Sequence, residues 1–148
     1  VALVDGKEVS IYAESENILA NGDRKLQEGD IIQYKANSKG EIVSIRLLLD
    51  ITEKNNEFTL SPIDKLEIVY GKVTKKFSNS VNVSVNNSNT VNYTVPTETP
   101  VYSVDTTKSK NPITVAEISD IQSFDSDENN RIFIKIYDDI VSEIVIVK

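Results

Sequence analysis

Alternation with period two constrains this chain more than any other feature. Val81, Val83 and Val85 alternate with Asn82 and Ser84, and Val91, Tyr93 and Val95 alternate with Asn92 and Thr94. Successive side chains of an extended strand point to opposite faces, so the pattern puts apolar groups on one sheet face and short polar groups on the other. Between the two runs stands Asn86-Asn87-Ser88-Asn89, residues that tolerate positive φ and favour a hairpin loop. The same device opens the chain, where Ala2-Leu3-Val4 and Val9-Ser10-Ile11-Tyr12 flank Asp5-Gly6. Further strands are expected over residues 30–36, 41–49, 66–77, 101–105, 131–137 and 141–147. Asn37-Ser38-Lys39-Gly40 and Asp138-Asp139 would close the hairpins. No window sustains a 3.6-residue apolar stripe; the best helical pieces are single turns at 62–66 and 115–118. The predicted class is all-β.

A second pattern organises these strands. Residues 30–45, DIIQYKANSKGEIVSI, superpose without a gap on residues 132–147, IFIKIYDDIVSEIVIV, when 102 is added to each number. Ile32, Glu41, Ile42 and Val43 then meet Ile134, Glu143, Ile144 and Val145, which marks a duplicated unit. The early hairpin corresponds too, with Val4, Val9 and Ile11 matching Val85, Val91 and Tyr93 at an offset of 81 to 82. The difference from 102 requires an insertion of about twenty residues in the second copy, part of it at 106–113. In that copy a long strand at 66–77, broken at Gly71, precedes the hairpin, and the first copy shows no counterpart. Residues 57–60 are one segment that would fill the gap; left unfilled, it is an open sheet edge. The expectation is two tandem small antiparallel β-barrel or β-sandwich units related by an internal repeat, residues 1–56 and 57–148. Thr52-Glu53-Lys54-Asn55-Asn56 is the most linker-like stretch between them.

Composition removes several kinds of chemistry. The chain has no Cys and no His, so thiolate nucleophiles, disulfides, cysteine zinc sites and the usual neutral-pH general base are absent. A formal charge of −7 argues against nucleic acid and anionic membrane as partners. No apolar run approaches a membrane span, so no membrane insertion is expected. Val1 as first residue and the lack of Met lead to the expectation of a piece of a longer precursor, with targeting signals elsewhere.

One family shares this layout. Tyr70-Gly71-Lys72-Val73, the hairpin at 81–95, Thr99-Pro100-Val101-Tyr102-Ser103-Val104-Asp105 and the closing run 132–147 resemble a β-rich repeat. That repeat occurs in cell-surface proteins of clostridia and related Gram-positive bacteria, which often also carry S-layer homology modules tethering them to cell-wall polymer. The likeness covers most of 66–148 and, less fully, 1–50. A Gly-Asp turn of the repeat stands at Gly29-Asp30, whereas the second copy has Asn129-Asn130 there. The resemblance implies an extracellular, cell-surface location and a structural role. It implies no binding site; separately, the expectation is no catalytic residue and no cofactor, calcium at residues 125–129 apart.

Three groups of residues compete with a purely structural reading. Asp125, Asp127 and Asn129 put oxygen atoms at positions one, three and five of a loop, as calcium sites do. Position six is Asn130 rather than Gly and position twelve is Ile136 rather than Glu, and the same residues also dominate ordinary turns. Tyr12, Tyr102 and Tyr137 are the candidate rings for a polysaccharide, although tyrosine in a half-buried strand is the default. The carboxylate pairs Asp138-Asp139 and Glu14 with Glu16 lack any sign of a shared cleft, and a tight turn accounts for the first. The chain thus reads as a non-enzymatic structural or spacer module. Its expected partners are neighbouring domains of the same polypeptide, cell-wall polymer or other surface proteins. The alternatives are a carbohydrate-binding module and an assembly module joining strand edges through residues 1–4 or 57–60.

Overall fold

The structure is a computed structural model and describes residues 1–122 and 131–148. The chain divides into two compact units, Val1–Lys54 and Asn55–Lys148. The first contains β1 (Ala2–Val4), β2 (Lys7–Val9), β3 (Ala20–Asn21), β4 (Arg24–Lys25), β5 (Ile31–Ala36) and β6 (Ile42–Leu49). The second contains β7 (Phe58–Ile63), β8 (Leu66–Lys76), β9 (Ser80–Ser84), β10 (Val91–Thr94), β11 (Val101–Val104), β12 (Ile113–Ala116), β13 (Arg131–Tyr137) and β14 (Ile140–Val147). Helical structure among the described residues is limited to short 3₁₀ turns at Glu16–Leu19, Ile51–Glu53 and Ile118–Asp120. The protein is mostly β.

The second unit is one sheet in the order β10-β9-β8-β13-β14-β11-β12, with β7 also on β8. It does not close into a barrel among the described residues, because β10 and β12 remain as edges. Every pairing is antiparallel except β11 with β14, which run parallel from Val101↔Ile144 to Val104↔Val147. The strand alternation explains the core. Val69, Val73, Val81, Val83, Ile132, Ile134, Ile136, Ile144 and Ile146 share one buried cluster with Val95, Val101, Ile121 and Val141. Ile68, Tyr70, Tyr102, Phe133, Val145 and Val147 alternate with these and are buried as well. The middle of the sheet is therefore apolar on both faces, as a central strand requires when both of its faces are covered.

Turn chemistry fixes the hairpins. Asp5 and Gly6 (φ 48° and 80°), Asp64 and Lys65 (51° and 68°), and Asp138 and Asp139 (50° and 63°) each place two successive residues at positive φ. That is the two-residue turn whose twist matches flanking strands. The single helical turn expected at 62–66 is instead the end of β7, the Asp64-Lys65 turn and the start of β8. The one expected at 115–118 is displaced, because Val115 and Ala116 complete β12 and the 3₁₀ turn follows at Ile118. Of the proposed insertion, 106–112 is loop and Ile113–Ala116 adds an edge strand beside β11.

Gly71 does not break β8. The strand continues through it, and its partner on one edge changes there from β7, ending at Phe58↔Tyr70, to β9, beginning at Lys72↔Ser84. A Cβ at Gly71 would fall inside van der Waals contact of the Ser84 carbonyl oxygen and 2.9 Å from Val83 Cγ1. Residues 57–60 do not fill a gap in the first unit, because β7 is spent on β8.

The first unit is built differently. Its strands form three two-stranded sheets, β1-β2, β3-β4 and β5-β6, plus one parallel bridge, Ala13↔Ile42. Its buried apolar residues are Ile42, Leu49 and Ile51. The gapless superposition of 30–45 on 132–147 does not carry over into strand register. Tyr34 faces Ile45, whereas Ile136, its counterpart at an offset of 102, faces Val141 and not Val147. The loops differ in length: residues 37–41 separate β5 from β6, and Asp138-Asp139 alone separates β13 from β14.

Two outcomes follow. Gly71→Ala should lower the stability of the second unit by about 1–3 kcal/mol, because backbone and core side chains must shift to admit one methyl group. Urea denaturation of the variant against the parent chain measures it. Amides of β5 and β6 should exchange with solvent well before those of β13 and β14, because far less apolar surface is buried around them. Residue-resolved hydrogen exchange reads the order directly.

Candidate functional site

The polar network of the first unit begins at the Gly29-Asp30 turn. Gly29 has φ 102°, and the turn closes with Asp30 N–H donating to the Gln27 carbonyl at 3.1 Å. This aims the Asp30 carboxylate inward, where its side chain is 2% exposed. Arg24 on β4 meets it with two parallel bonds, Nη1 to Oδ2 at 2.8 Å and Nη2 to Oδ1 at 2.9 Å. The backbone N–H groups of Gln27 (2.8 Å) and Ile51 (3.0 Å) donate to the same carboxylate. Arg24 Nη2 also lies 2.9 Å from Asp50 Oδ1, and Asp50 caps the 3₁₀ turn by accepting from Thr52 N–H. Burial pushes the Asp30 carboxyl up. The Arg24 hydrogen bond and the two backbone donors outweigh it and hold the group below the usual carboxylate range. A fully bonded carboxylate of this kind has no free lone pair aimed at a ligand. The network is a clamp.

The second unit has its own. Arg131 at the start of β13 places Nε 3.2 Å from Glu57 Oε1, with both side chains nearly buried. Glu57 Oε2 accepts from Asn86 N–H at 2.6 Å, and Asn86 Nδ2 donates to the Glu57 carbonyl at 3.2 Å. One carboxylate thus ties the approach to β7, the β9–β10 loop and β13 together. Tyr70 lies beside this pair with Phe58 against its ring, centroids 5.5 Å apart. Burial raises the Tyr70 hydroxyl well above its ordinary value.

The sequence candidates are scattered. Tyr102 is 4% exposed on β11, between β14 and β12, so its ring cannot form a platform for sugar. Tyr12 (74% exposed) and Tyr137 (53%) do reach solvent, one in each unit. Within the second unit Tyr70 is buried too and Tyr93 packs against the core, leaving Tyr137 as its one exposed tyrosine among the described residues. Asp138 and Asp139 occupy the β13–β14 turn at positive φ, which accounts for both without catalysis. Asp125, Asp127 and Asn129 lie outside the described residues. Among the described residues no three carboxylates gather as a metal site would need.

Sequence reasoning overlooked one surface. Ile63↔Leu66, Leu66↔Tyr137 and Tyr137↔Ile140 are successive cross-strand pairs over β7, β8, β13 and β14. Directly opposed residues share a sheet face, so the four side chains form one row. Ile63, Tyr137 and Ile140 are 62%, 53% and 58% exposed. The row lies beside the turns Asp64-Lys65 and Asp138-Asp139, which are joined by Asp138 N–H donating to Lys65 O at 2.9 Å. The only sequence signal was an apolar residue on each side of both turns, and the pairing of the turns was needed to read it. No protein-family model matches the chain, and no curated protein or solved structure shows significant similarity to it.

Removing the Asp30 carboxylate leaves the Arg24 guanidinium with Asp50 alone and takes the acceptor from the Gln27 and Ile51 N–H groups. Asp30→Ala should destabilise the first unit by about 3 kcal/mol, the usual scale for breaking a buried pair from one side. In the parent chain the folded-state pKa lies below the unfolded value, so the clamp's contribution is complete above about pH 4 and fades as pH falls through the folded pKa. Hydrogen exchange of β5 and β6 against pH should show this acid loss in the parent chain. Asp30→Asn should show a flatter profile.

Proposed function

We propose that this chain is a non-catalytic structural module of an extracellular bacterial surface protein, made of two tandem small β units that are versions of one repeat. The repeat reading is supported by connectivity. In both units a hairpin (β1-β2, β9-β10) is followed by a segment that runs parallel to the last strand, and an antiparallel hairpin completes the unit. Ile42 N–H donates to Tyr12 O at 2.8 Å, and Ile144 N–H donates to Pro100 O at 3.1 Å, so each last strand has a parallel contact, before the bulge in one unit and after it in the other. Both closing hairpins carry a bulge in the second strand, at Val43 between the pairs with Lys35 and Ala36, and at Ser142 between those with Lys135 and Ile136. A bulge is a built feature rather than a defect, so its recurrence supports common design.

The structural role rests on where the chain enters and leaves the second unit. Phe58, Tyr70, Phe133 and Val145 are aligned across β7, β8, β13 and β14, so the start of β7 and the end of β14 lie at one end of the sheet. The two linked turns lie at the other. A unit whose entry and exit share one end leaves the opposite end, with its two turns, free of chain connections. That layout suits a display role, which needs no catalytic residue. The resemblance to surface repeats supplies the extracellular setting.

An antibody against the purified chain should label intact source cells; labelling only after lysis would sink the surface assignment. The same chain should not be retained on cell-wall sacculi or insoluble polysaccharide, with or without calcium. Retention abolished by Tyr137→Ala would favour the carbohydrate-binding reading, for which the Tyr137 ring flanked by Ile63 and Ile140 is the one supporting observation.

A further inference from the structure

The geometry points to a strand-acceptor slot on β5, and we propose that it takes an extended strand of the β8 type from a neighbouring repeat of the same kind. The inference rests on the repeat relation between the units and is independent of the cellular location. In the second unit β8 joins the two hairpins: it pairs with β13 along Leu66–Lys72 on one edge and with β9 along Lys72–Lys76 on the other. In the first unit the corresponding hairpins, β1-β2 and β5-β6, have no joining strand. Among the described residues β5 pairs with β6 alone, and β1 with β2 alone.

Side-chain exposure agrees with a missing strand. The shared bulge aligns Ile32 and Tyr34 of β5 with Ile132 and Ile134 of β13, and Ile45 and Leu47 of β6 with Ile144 and Ile146 of β14. All four residues of the second unit are buried. None of the four in the first unit is; Tyr34 is 37% exposed, and Ile32, Ile45 and Leu47 are half-buried. The opposite face carries Gln33, Lys35, Ser44 and Arg46, which suits solvent. The β5-β6 pair thus has an apolar face only half covered and a row of backbone donors and acceptors along an edge with no partner strand. An exposed edge of this kind is a template for an added strand.

The occupant's chemistry follows from β8 itself. It runs antiparallel to its acceptor and brings Val69, opposite Ile134, onto the core face. At the position opposite Ile132 it carries Gly71, because the neighbouring hairpin presses close there. A strand reading apolar at alternate positions with glycine at the crossing therefore fits the slot. A β-rich repeat of the same build supplies one in each copy.

The probe is a labelled peptide with the sequence of residues 66–76, LEIVYGKVTKK, titrated into the full chain. The expected result is saturable binding, with amide exchange of residues 31–36 slowed by about tenfold or more. The same peptide carrying Val69→Pro, which cannot complete the ladder, should not bind. The chain itself is unaltered in both arms, so a folding failure cannot imitate a negative result. No saturation up to about 1 mM peptide, or protection confined to other edges such as β10 or β12, would overturn the proposal. Protection of 31–36 that rises with chain concentration in the absence of peptide would overturn it as well, because a second copy would then be the occupant.

Discussion

The second unit depends on one strand keeping three partners at once. β8 offers one edge to β13 over its first seven residues, and divides its other edge between β7 and β9. Two strands can share one edge only if their ends come close to the backbone between them, and a side chain at that point would occupy the space. Gly71 has none. Its role is close approach rather than an unusual φ. Everything downstream relies on it: Val69 and Val73 enter the core on either side of the glycine, and β9 carries Val81 and Val83 into the same cluster.

The first unit lacks such a strand and relies more on charge. Three buried apolar residues are few for a folded unit, and the Arg24–Asp30–Asp50 clamp ties β4, the Gly29-Asp30 turn and the end of β6 together. A bidentate guanidinium–carboxylate pair fixes direction as well as distance, which a small core does poorly. The two units thus differ in what holds them. In one it is an apolar sheet covered on both faces; in the other it is a polar clamp beside a half-covered sheet. The Glu57–Arg131 pair is the second unit's smaller version of the same device.

Much of the strand layout was legible in the chain. Alternation located β9 and β10; β5, β6, β8, β11, β13 and β14 fall on the other expected strands, and Asp-Gly or paired Asn and Asp marked turns that do hold positive φ. Local chemistry governs both features, so reading them needs only neighbours in sequence. β12 was not legible, since Val115 and Ala116 read as the start of a helical turn at 115–118 until β11 offers the segment an edge. Pro62 pointed the same way, toward a helix start, but the Asp64-Lys65 turn and the edge position of β7 tolerate it as strand. The candidate tyrosines were separated only by tertiary packing: Tyr102 and Tyr137 sit in similar apolar runs, one buried on β11 between two strands and one exposed beside a turn.

The sequence by itself determined the all-β class, the hairpin turns and the recurrence of a closing strand pair, because each follows from period and local backbone preference. It also excluded thiol and imidazole chemistry by composition. Tertiary structure decided the rest. Register differs between the two closing hairpins although their sequences superpose without a gap, because register answers to loop length and bulge position. Which carboxylates become clamps, which aromatic rings reach water and which strand edge stays open depend on partners distant in sequence. Such pairings are set by the packing of a whole unit, where a buried charge or an unpaired edge costs more than any local preference can offset.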